Sequence, residues 1–365
     1  MLSLAQDIFK MRHLTIIFFL VFSANSQAQS YKQVYAEKLS KSYNFIESYP
    51  IWLELANEAQ VIDTHIVRSL IRAAYESEQY ESALDWSMKF TAQSKEVSSK
   101  DFCLQLQLLQ LTKQVSKLEA TITEGLKRYP TDMDLLRWQN QLNQILSCPK
   151  IPSDYSVQLF RSSETGEVFC ASDYPEGVLY VSTQYNSGFV NRIYGKTGQY
   201  FTDIVYAKDG SNKDQIWKDI KRTNPHDGPV SFSSTNRYAY MTSNHQEIDL
   251  QGEVKFNRLK LVIYKNEQGE WVPTELFKWN NPTYSVAHGV VDDSLNLYFS
   301  SDMPGGFGGS DIYRCTWNGS GYEAPQNLGE KINTPYDENF PFVALDGHLY
   351  FSSNGGLPEE VILRY

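Results

Sequence analysis

The chain has 365 residues, of which 41% are hydrophobic and 14% aromatic, so it can fill packed cores and is longer than one ordinary domain requires. Its formal net charge is -10, and Lys41, Lys113, Lys117 and Lys260 are scattered along it. That excludes a basic surface able to neutralise phosphates, and nucleic-acid binding with it.

From Met11 the sequence runs MRHLTIIFFLVFSANSQAQS. Arg12 precedes an apolar core from Leu14 to Phe22, and Ser26 and Ala28 stand at the -3 and -1 positions of a cleavage site before Gln29. Residues 1–28 are therefore expected to be a secretory signal peptide, with initiation at Met11 as an alternative start. The competing reading, a membrane anchor, has only about half of the ~20 apolar residues that a span needs. No Cys follows the apolar run, so a lipid anchor is not indicated. An exported, periplasmic chain with no membrane span after cleavage is the expectation.

Residues 31–147 lack strand alternation and hold almost no glycine, and Pro50 and Pro130 stand where helices would end. His65 to Ala92 sets apolar residues at helical spacing on both sides of the polar turn ESEQ, with Ala74, Tyr80 and Ala83 where two helices would approach closely. FCLQLQLLQLTKQ followed by KLEATITEGLKRYP repeats the layout between Asp101 and Pro130. Met133 to Leu146 would be a terminal helix presenting Leu135, Trp138, Leu142 and Leu146 along one stripe, as a cap. Paired helices with small residues at the crossings, closed by Tyr-Pro, resemble tetratricopeptide repeats of ~34 residues, although the Trp-x-x-Leu-Gly start is absent. A generic array of helical hairpins is the alternative. Residues 148–154, CPKIPSD, carry two prolines and mark a short linker.

From 155 to 365 one arrangement recurs. SETGEVFCAS, GPVSFSS, YSVAHGVV and NFPFVAL read as first strands, and LYVST, AYMTSN, LYFSSD and LYFSSN, around Tyr180, Tyr240, Tyr298 and Tyr350, as second strands. TDIVYAK, KLVIYKN and SDIYRCT follow as third strands, and QIW, EWVP and YEAP, with Trp217, Trp271 and Tyr322, as fourth strands. AKDGS, DDSLN and ALDGH supply hairpin turn chemistry. This is the order expected of four-stranded propeller blades, which must stack because neither face of a lone sheet is self-sufficient.

The third copy carries the fullest motif. Tyr284 and His288 lie in its first strand, and Tyr298, Ser301 and Asp302 in or after the second. Pro304, Gly305, Gly306, Gly308 and Gly309 form a reversing loop, and Asp311 and Tyr313 lie in the returning strand. These residues are read as a structural motif, the glycines serving backbone angles that a Cβ would forbid.

The run YSVAHGVVDDSLNLYFSSDMPGGFGGSDIY, followed by PQNLGEKINTPYDENFPFVALDGHLYFSSNG, closely resembles the WD40-like propeller repeats of multidomain OmpA-family proteins of Bacteroidota. The match covers roughly Ser163 to Gly355, and PGGFGGSDIY is its most specific part. The resemblance implies a signal peptide, tetratricopeptide helices and a propeller in that order, envelope partners, and in some relatives a link to type IX secretion. The sequence departs from the pattern after Gly355, where FSSNGGLPEEVILRY lacks the second glycine-rich turn, and it has no peptidoglycan-binding OmpA-like domain. The expected fold is thus a two-domain α plus all-β chain: a tetratricopeptide-like array, then a partial or small propeller with a truncated last blade. Pairing of YSVQLF, residues 155–160, with VILRY, residues 361–365, would protect its open edge.

Asp302 and Asp311 flank the glycine loop, but calcium wants six to eight oxygens, so side-chain bonds that lock the turn are the expectation. His288 has no G-x-S-x-G elbow to serve and is read as a hydrogen-bonded structural residue. Glu330, Asp337 and Glu338 could pair as catalytic carboxylates only through their separation in space, and a solvated loop is the default. Tyr298, Tyr313 and Tyr350 are expected between blades, whereas Trp317, outside the shared pattern, is a candidate ligand contact. Cys103, Cys148, Cys170 and Cys315 form no CxxC or Cys/His cluster and are read as buried free thiols with no metal.

No cofactor is expected. The functional expectation is a non-enzymatic envelope scaffold that binds other proteins. The alternatives are a carbohydrate- or peptide-binding sensor and the propeller domain of an envelope hydrolase.

Overall fold

The computed structural model describes residues 29–58, 63–146, 167–185, 193–211, 213–220, 228–248 and 254–354. The signal peptide, the linker 148–154, YSVQLF and VILRY lie outside these residues. The chain divides into two compact units, Met1–Lys150 with Tyr194–Gly198, and Ile151–Ile193 with Gln199–Tyr365. No helix among the described residues is long and apolar enough to cross a membrane.

The first unit holds seven helices among the described residues. They are α1 (residues 29–41), α2 (Phe45–Glu58), α3 (Thr64–Glu76), α4 (Tyr80–Gln93), α5 (Ser99–Leu111), α6 (Leu118–Arg128) and α7 (Met133–Leu146). From α2 onward each helix packs on the next. In α3, Val67, Leu70, Ile71 and Ala74 are buried while Arg68 and Arg72 are exposed, so the amphipathic stripe alone sets which face turns inward. Asp63 starts α3 by accepting the Ile66 N–H at 3.0 Å. Val67, Ala83, Phe90, Leu106, Leu109, Ile122 and Leu135 then share one core, and Phe45, Trp52, Leu55 and Leu70 another.

The hairpin turns repeat. Tyr43, Glu78 and Lys113 follow α1, α3 and α5 in the left-handed region, with φ of 58°, 63° and 59°, at intervals of 35 residues. Each lets the next amide reach back five residues: Asn44 to Leu39, Gln79 to Ala74 and Gln114 to Leu109.

Pro50 was expected at a helix end but lies inside α2. Its ring is exposed and only the second turn loses a bond, while Phe45, Trp52 and Leu55 bury the opposite face and hold the helix together. Pro130 does follow the end of α6. Tyr194–Gly198 belong to this unit: the Gly195 carbonyl accepts the Ile46 N–H at 3.1 Å, and Lys196 pairs with Glu76 at 2.7 Å.

The second unit is a series of antiparallel sheets. Sheet 1 is β1 (Val168–Tyr174), β2 (Gly177–Ser182), β3 (Asp203–Lys208) and β4 (Gln215–Ile216). Sheet 2 is β5 (Val230–Phe232), β6 (Tyr238–Ile248), β7 (Val254–Glu267) and β8 (Glu270–Pro273). Sheet 3 is β9 (Val286–Val291), β10 (Leu297–Ser301), β11 (Asp311–Cys315) and β12 (Gln326–Asn327), and β13 (Glu338–Val343) with β14 (Leu349–Ser353) form a two-stranded sheet 4. Every strand pairs with its sequence neighbour, and no sheet closes on itself among the described residues.

Successive sheets pack face to face. Leu179 and Ile204 of sheet 1 meet Ala239 and Met241 of sheet 2. Tyr240 and Leu261 of sheet 2 meet Leu297 and Phe299 of sheet 3, and Tyr298 and Ile312 of sheet 3 meet Leu349 of sheet 4.

Three expectations about strands need correction. YEAP falls short of a full strand: Tyr322 makes a single antiparallel bridge to Trp317 and places its hydroxyl 2.8 Å from that of Tyr240, while Gln326–Asn327 carry the ladder on β11. The β6–β7 ladder runs past Lys260, from Tyr238↔Lys265 out to Ile248↔Val254. Tyr180 does not correspond to Tyr298. Ser182 pairs with Asp203 as Ser301 pairs with Asp311, which puts Leu179 opposite Tyr206 in the place of Tyr298 opposite Arg314.

Candidate functional site

Some motif residues of sheet 3 lock their own copy, and others hold it against its neighbours. Asp302 accepts the Ser285 N–H at 2.5 Å and an Arg258 Nη1 contact at 3.1 Å. Ser301 donates to the Ser285 carbonyl at 2.6 Å. Asn354 repeats the Asp302 device in sheet 4 by accepting the Asp337 N–H at 2.8 Å. Asp311 is fully buried; its Oδ2 accepts from the Phe307 N–H and Asn327 Nδ2, both at 2.6 Å, while Oδ1 is buried without a hydrogen-bond partner among the described residues. Asp302 and Asp311 thus lock backbone, each at a different place.

Of the loop glycines, only Gly305 has a left-handed φ, at 95°. The others are needed for space. A Cβ on Gly306 would fall within 3.0 Å of the Asp311 carboxylate, one on Gly309 within 3.0 Å of Asp337, and one on Gly308 within 3.0 Å of backbone atoms of Thr334, Pro335 and Tyr336. The loop therefore lies directly on the strand entering sheet 4. Gly309 N–H donates to the Tyr336 carbonyl at 2.8 Å, Ser310 N–H to Asp337 Oδ1 at 3.0 Å, and Glu338 N–H to the Ser310 carbonyl at 2.6 Å. Pro304 opens this loop, and Tyr313, buried in the same core as Phe299, closes it.

The carboxylates of the third and fourth copies do not converge. Glu330 is exposed, Asp337 holds Ser310 and Asn354, and Glu338, expected in a solvated loop, is fully buried. Its oxygens accept from the Thr334 N–H and hydroxyl at 2.8 and 2.7 Å and from Ser353 at 2.6 Å. Burial is tolerable because those bonds replace water.

His288 sits at a bulge in β9, at φ 57°, in the place held by Cys170 in β1 and Phe340 in β13. Its backbone N–H donates to Thr242 Oγ1 at 2.8 Å. The ring, expected to be hydrogen-bonded, has no partner at Nδ1 and stacks on Phe340 with centroids 3.9 Å apart. Burial lowers its pKa to about 4, so it is neutral near pH 7. Tyr284 packs at the edge of the core that holds Phe299 and Tyr313, its hydroxyl donating to the Trp279 carbonyl at 3.0 Å.

Among the aromatics, Tyr298 is 1% and Tyr313 4% exposed, as expected of residues between sheets, but Tyr350 is 52% exposed. No further described sheet covers it. Trp317 is not a free platform: it is half-buried between Tyr238 and Tyr322, with centroids 6.1 and 5.0 Å away.

Cys103, Cys170 and Cys315 are free thiols whose pKa values burial pushes up to about 12, and Cys148 lies outside the described residues. Cys103, Asp132 and Asp134 have potential ligand atoms within 4.8 Å of one another. Asp132, however, uses Oδ1 to cap α7, accepting the Asp134 and Leu135 N–H groups at 3.1 Å, and the Cys103 thiol stays protonated. The cluster is a helix start.

One feature of the helical unit had no signal in the sequence motifs. The outer stripe of α3, with Glu96 beyond it, lines an open groove of about 700 Å³ that contains His65, Arg68, Ser69 and Arg72. Asp101 holds Arg68 through Nε at 3.2 Å and Nη2 at 2.7 Å, and Nη2 also donates to the Glu96 carbonyl at 2.8 Å. Asp101 itself accepts the Ser98 N–H at 2.7 Å and starts α5. Burial raises the Asp101 pKa, but the bonds from Arg68 and Ser98 outweigh it and bring the carboxyl below its ordinary range. Arg72 rests over the Phe45 ring at 5.8 Å. His65 lies edge-on to Trp52, with centroids 5.9 Å apart. The spacing of 65, 68 and 72 on an amphipathic helix is legible afterwards as one polar stripe.

No family model matches the chain, and no match was found among curated proteins or among solved structures.

Proposed function

We propose that the chain is an exported, non-enzymatic scaffold of the bacterial cell envelope, in which a tetratricopeptide-like array is joined to a partial β-propeller of WD40-like blades. On the motifs PGGFGGSDIY and NTPYDENFPF it resembles the OmpA-family repeat proteins of Bacteroidota, and its partners are envelope proteins, including secretion-machinery or outer-membrane components. The 35-residue recurrence of left-handed closures at Tyr43, Glu78 and Lys113 supports the repeat-array reading.

The sheets support the propeller reading in three ways. The first strands β1, β5, β9 and β13 neighbour one another in that order, as strands around an axis must. Ser172 Oγ donates to the Val230 carbonyl and Ser231 Oγ to the Gly289 carbonyl, each bond at 2.6 Å and spanning 58 residues. Tyr240 and Tyr298 are each 1% exposed beneath the following sheet, whereas Tyr350, their counterpart, is 52% exposed, which favours a partial ring.

The observation that carries the scaffold reading is the α3 groove, where Arg68 is anchored by Asp101 of α5 and the Glu96 carbonyl while its Nη1 has no hydrogen-bond partner among the described residues. Photocrosslinking from Ser69 in the native envelope is expected to give a discrete protein adduct identified by mass spectrometry. Adducts no more frequent than from Lys127, exposed on α6, would sink the reading.

A further inference from the structure

Tyr240 lies opposite Ser231, Tyr298 opposite Val290 and Tyr350 opposite Phe342, so the three tyrosines hold one register on the same face of sheets 2, 3 and 4. Leu297 and Phe299 of the following sheet cover the first, and Ile332 and Leu349 cover the second. The third is bare: Phe342 is 56% exposed, Tyr350 52%, and Leu345, at the turn that joins their strands, 96%. The rings of Phe342 and Tyr350 lie 6.4 Å apart and each leaves roughly 100 Å² open to water, an apolar patch of the kind that marks a contact site. Asn339 and Ser352 pair on that same face, so none of the four residues that build it is charged, although the chain as a whole carries -10. Sheet 1 has no free counterpart to offer. Tyr180, Val205 and Ala207, on its side away from sheet 2, are already buried.

We propose that the outer face of sheet 4 is covered by the same face of a second copy of this chain, Phe342 and Tyr350 of each packing against those of the other about a two-fold axis. Head-to-tail stacking would need an open face on sheet 1, and burial of Tyr180 and Val205 removes it. The sheet face that a second copy can present, among the described residues, is therefore sheet 4 itself. Such a self-complementary contact closes with two copies, whereas a head-to-tail contact would propagate. Uncharged centres let two acidic chains approach there without like charges meeting at close range. The patch is small for a specific interface, so a reversible dimer in the micromolar range is expected. The assignment rests on the partial-ring reading and adds what occupies its open end.

The test is sedimentation velocity of the full chain over a concentration series spanning the micromolar range. A monomer–dimer equilibrium is expected with no larger species, and Phe342→Glu should raise its dissociation constant at least about 30-fold. Val272→Glu, which puts the same charge on an exposed apolar position of sheet 2, should leave it unchanged. Both positions are exposed, and circular dichroism verifies that the variants stay folded. A monomer at every concentration, species larger than the dimer, or equal weakening by the two substitutions would each overturn the assignment. Maleimide labelling of Ser352→Cys, compared with the parent chain, separates this proposal from the reading beneath it, because Ser352 is exposed on the same face. Should the variant be monomeric and its new thiol label as fast as in urea, the partial ring survives and the dimer falls; should it be monomeric and label far more slowly than in urea, the chain covers its own face and both fall.

Discussion

Replacing Gly308 by Ala tests the glycine loop as a clasp between copies. The new Cβ would lie within 3.0 Å of three backbone atoms, the Thr334 carbonyl oxygen, the Pro335 carbonyl carbon and the Tyr336 nitrogen. None of these can swing aside as a flexible side chain can, so the loop must retreat by roughly 1 Å to reach ordinary contact distance. Such overpacking costs about 1–3 kcal/mol. Retreat also stretches the three bonds that join the loop to the strand entering sheet 4, from Gly309, Ser310 and Glu338, each contributing about 1 kcal/mol. The expected loss is therefore about 2–4 kcal/mol.

Two alanine variants separate space from backbone angle. Gly321 has nothing within 4 Å and no left-handed φ, so Gly321→Ala should lie within about 0.5 kcal/mol of the parent chain. Gly305 also has open space but a φ of 95°, so its substitution should cost about 1–2 kcal/mol through strain alone. Urea unfolding followed by tryptophan fluorescence, with calorimetry to separate the transitions of the two units, measures all three. A Gly308→Ala chain as stable as the Gly321→Ala chain would refute the reasoning.

Three further outcomes are expected. The pKa of His288 falls on folding from about 6.5 to about 4, so between those values the unfolded chain binds a proton that the folded chain refuses; stability is full above pH 6.5 and declines towards pH 4 by up to about 3 kcal/mol. His288→Phe, which copies the residue at Phe340, should remove that part of the acid sensitivity, and identical pH profiles for the two chains would contradict it. Asn280 and Asn333 each bond both the N–H and the carbonyl of a third-strand residue, Leu261 and Ile312, at 2.7–3.0 Å; alanine at either should cost about 2 kcal/mol, measured by denaturant titration. Cys103, Cys170 and Cys315, with pKa values pushed up to about 12 by burial, should react with iodoacetamide at pH 8 on the order of 1000-fold more slowly than in urea, and rapid labelling of any of them in the native chain would contradict their burial.

Local chemistry determined much of this protein before any tertiary contact. Helical spacing around Leu70, Ala74 and Leu84, strand alternation around Tyr298, and the turns at Asp292 and Gly347 depend on residues a few positions apart, so the elements and their order could be read directly. Recurrence carried the likeness of the sheets for the same reason. The tertiary structure decided what depends on neighbours far along the chain. Register moved Tyr180 out of the place of Tyr298, because ladder hydrogen bonds outrank a match of letters. Burial of one face kept Pro50 inside a helix, and the approach of Thr334–Tyr336 made Gly308 a matter of space rather than angle. The α3 groove belongs to this second class: Asp101, 33 residues beyond Arg68, is what holds that guanidinium in place, and a pairing of that separation leaves no periodic trace in the sequence.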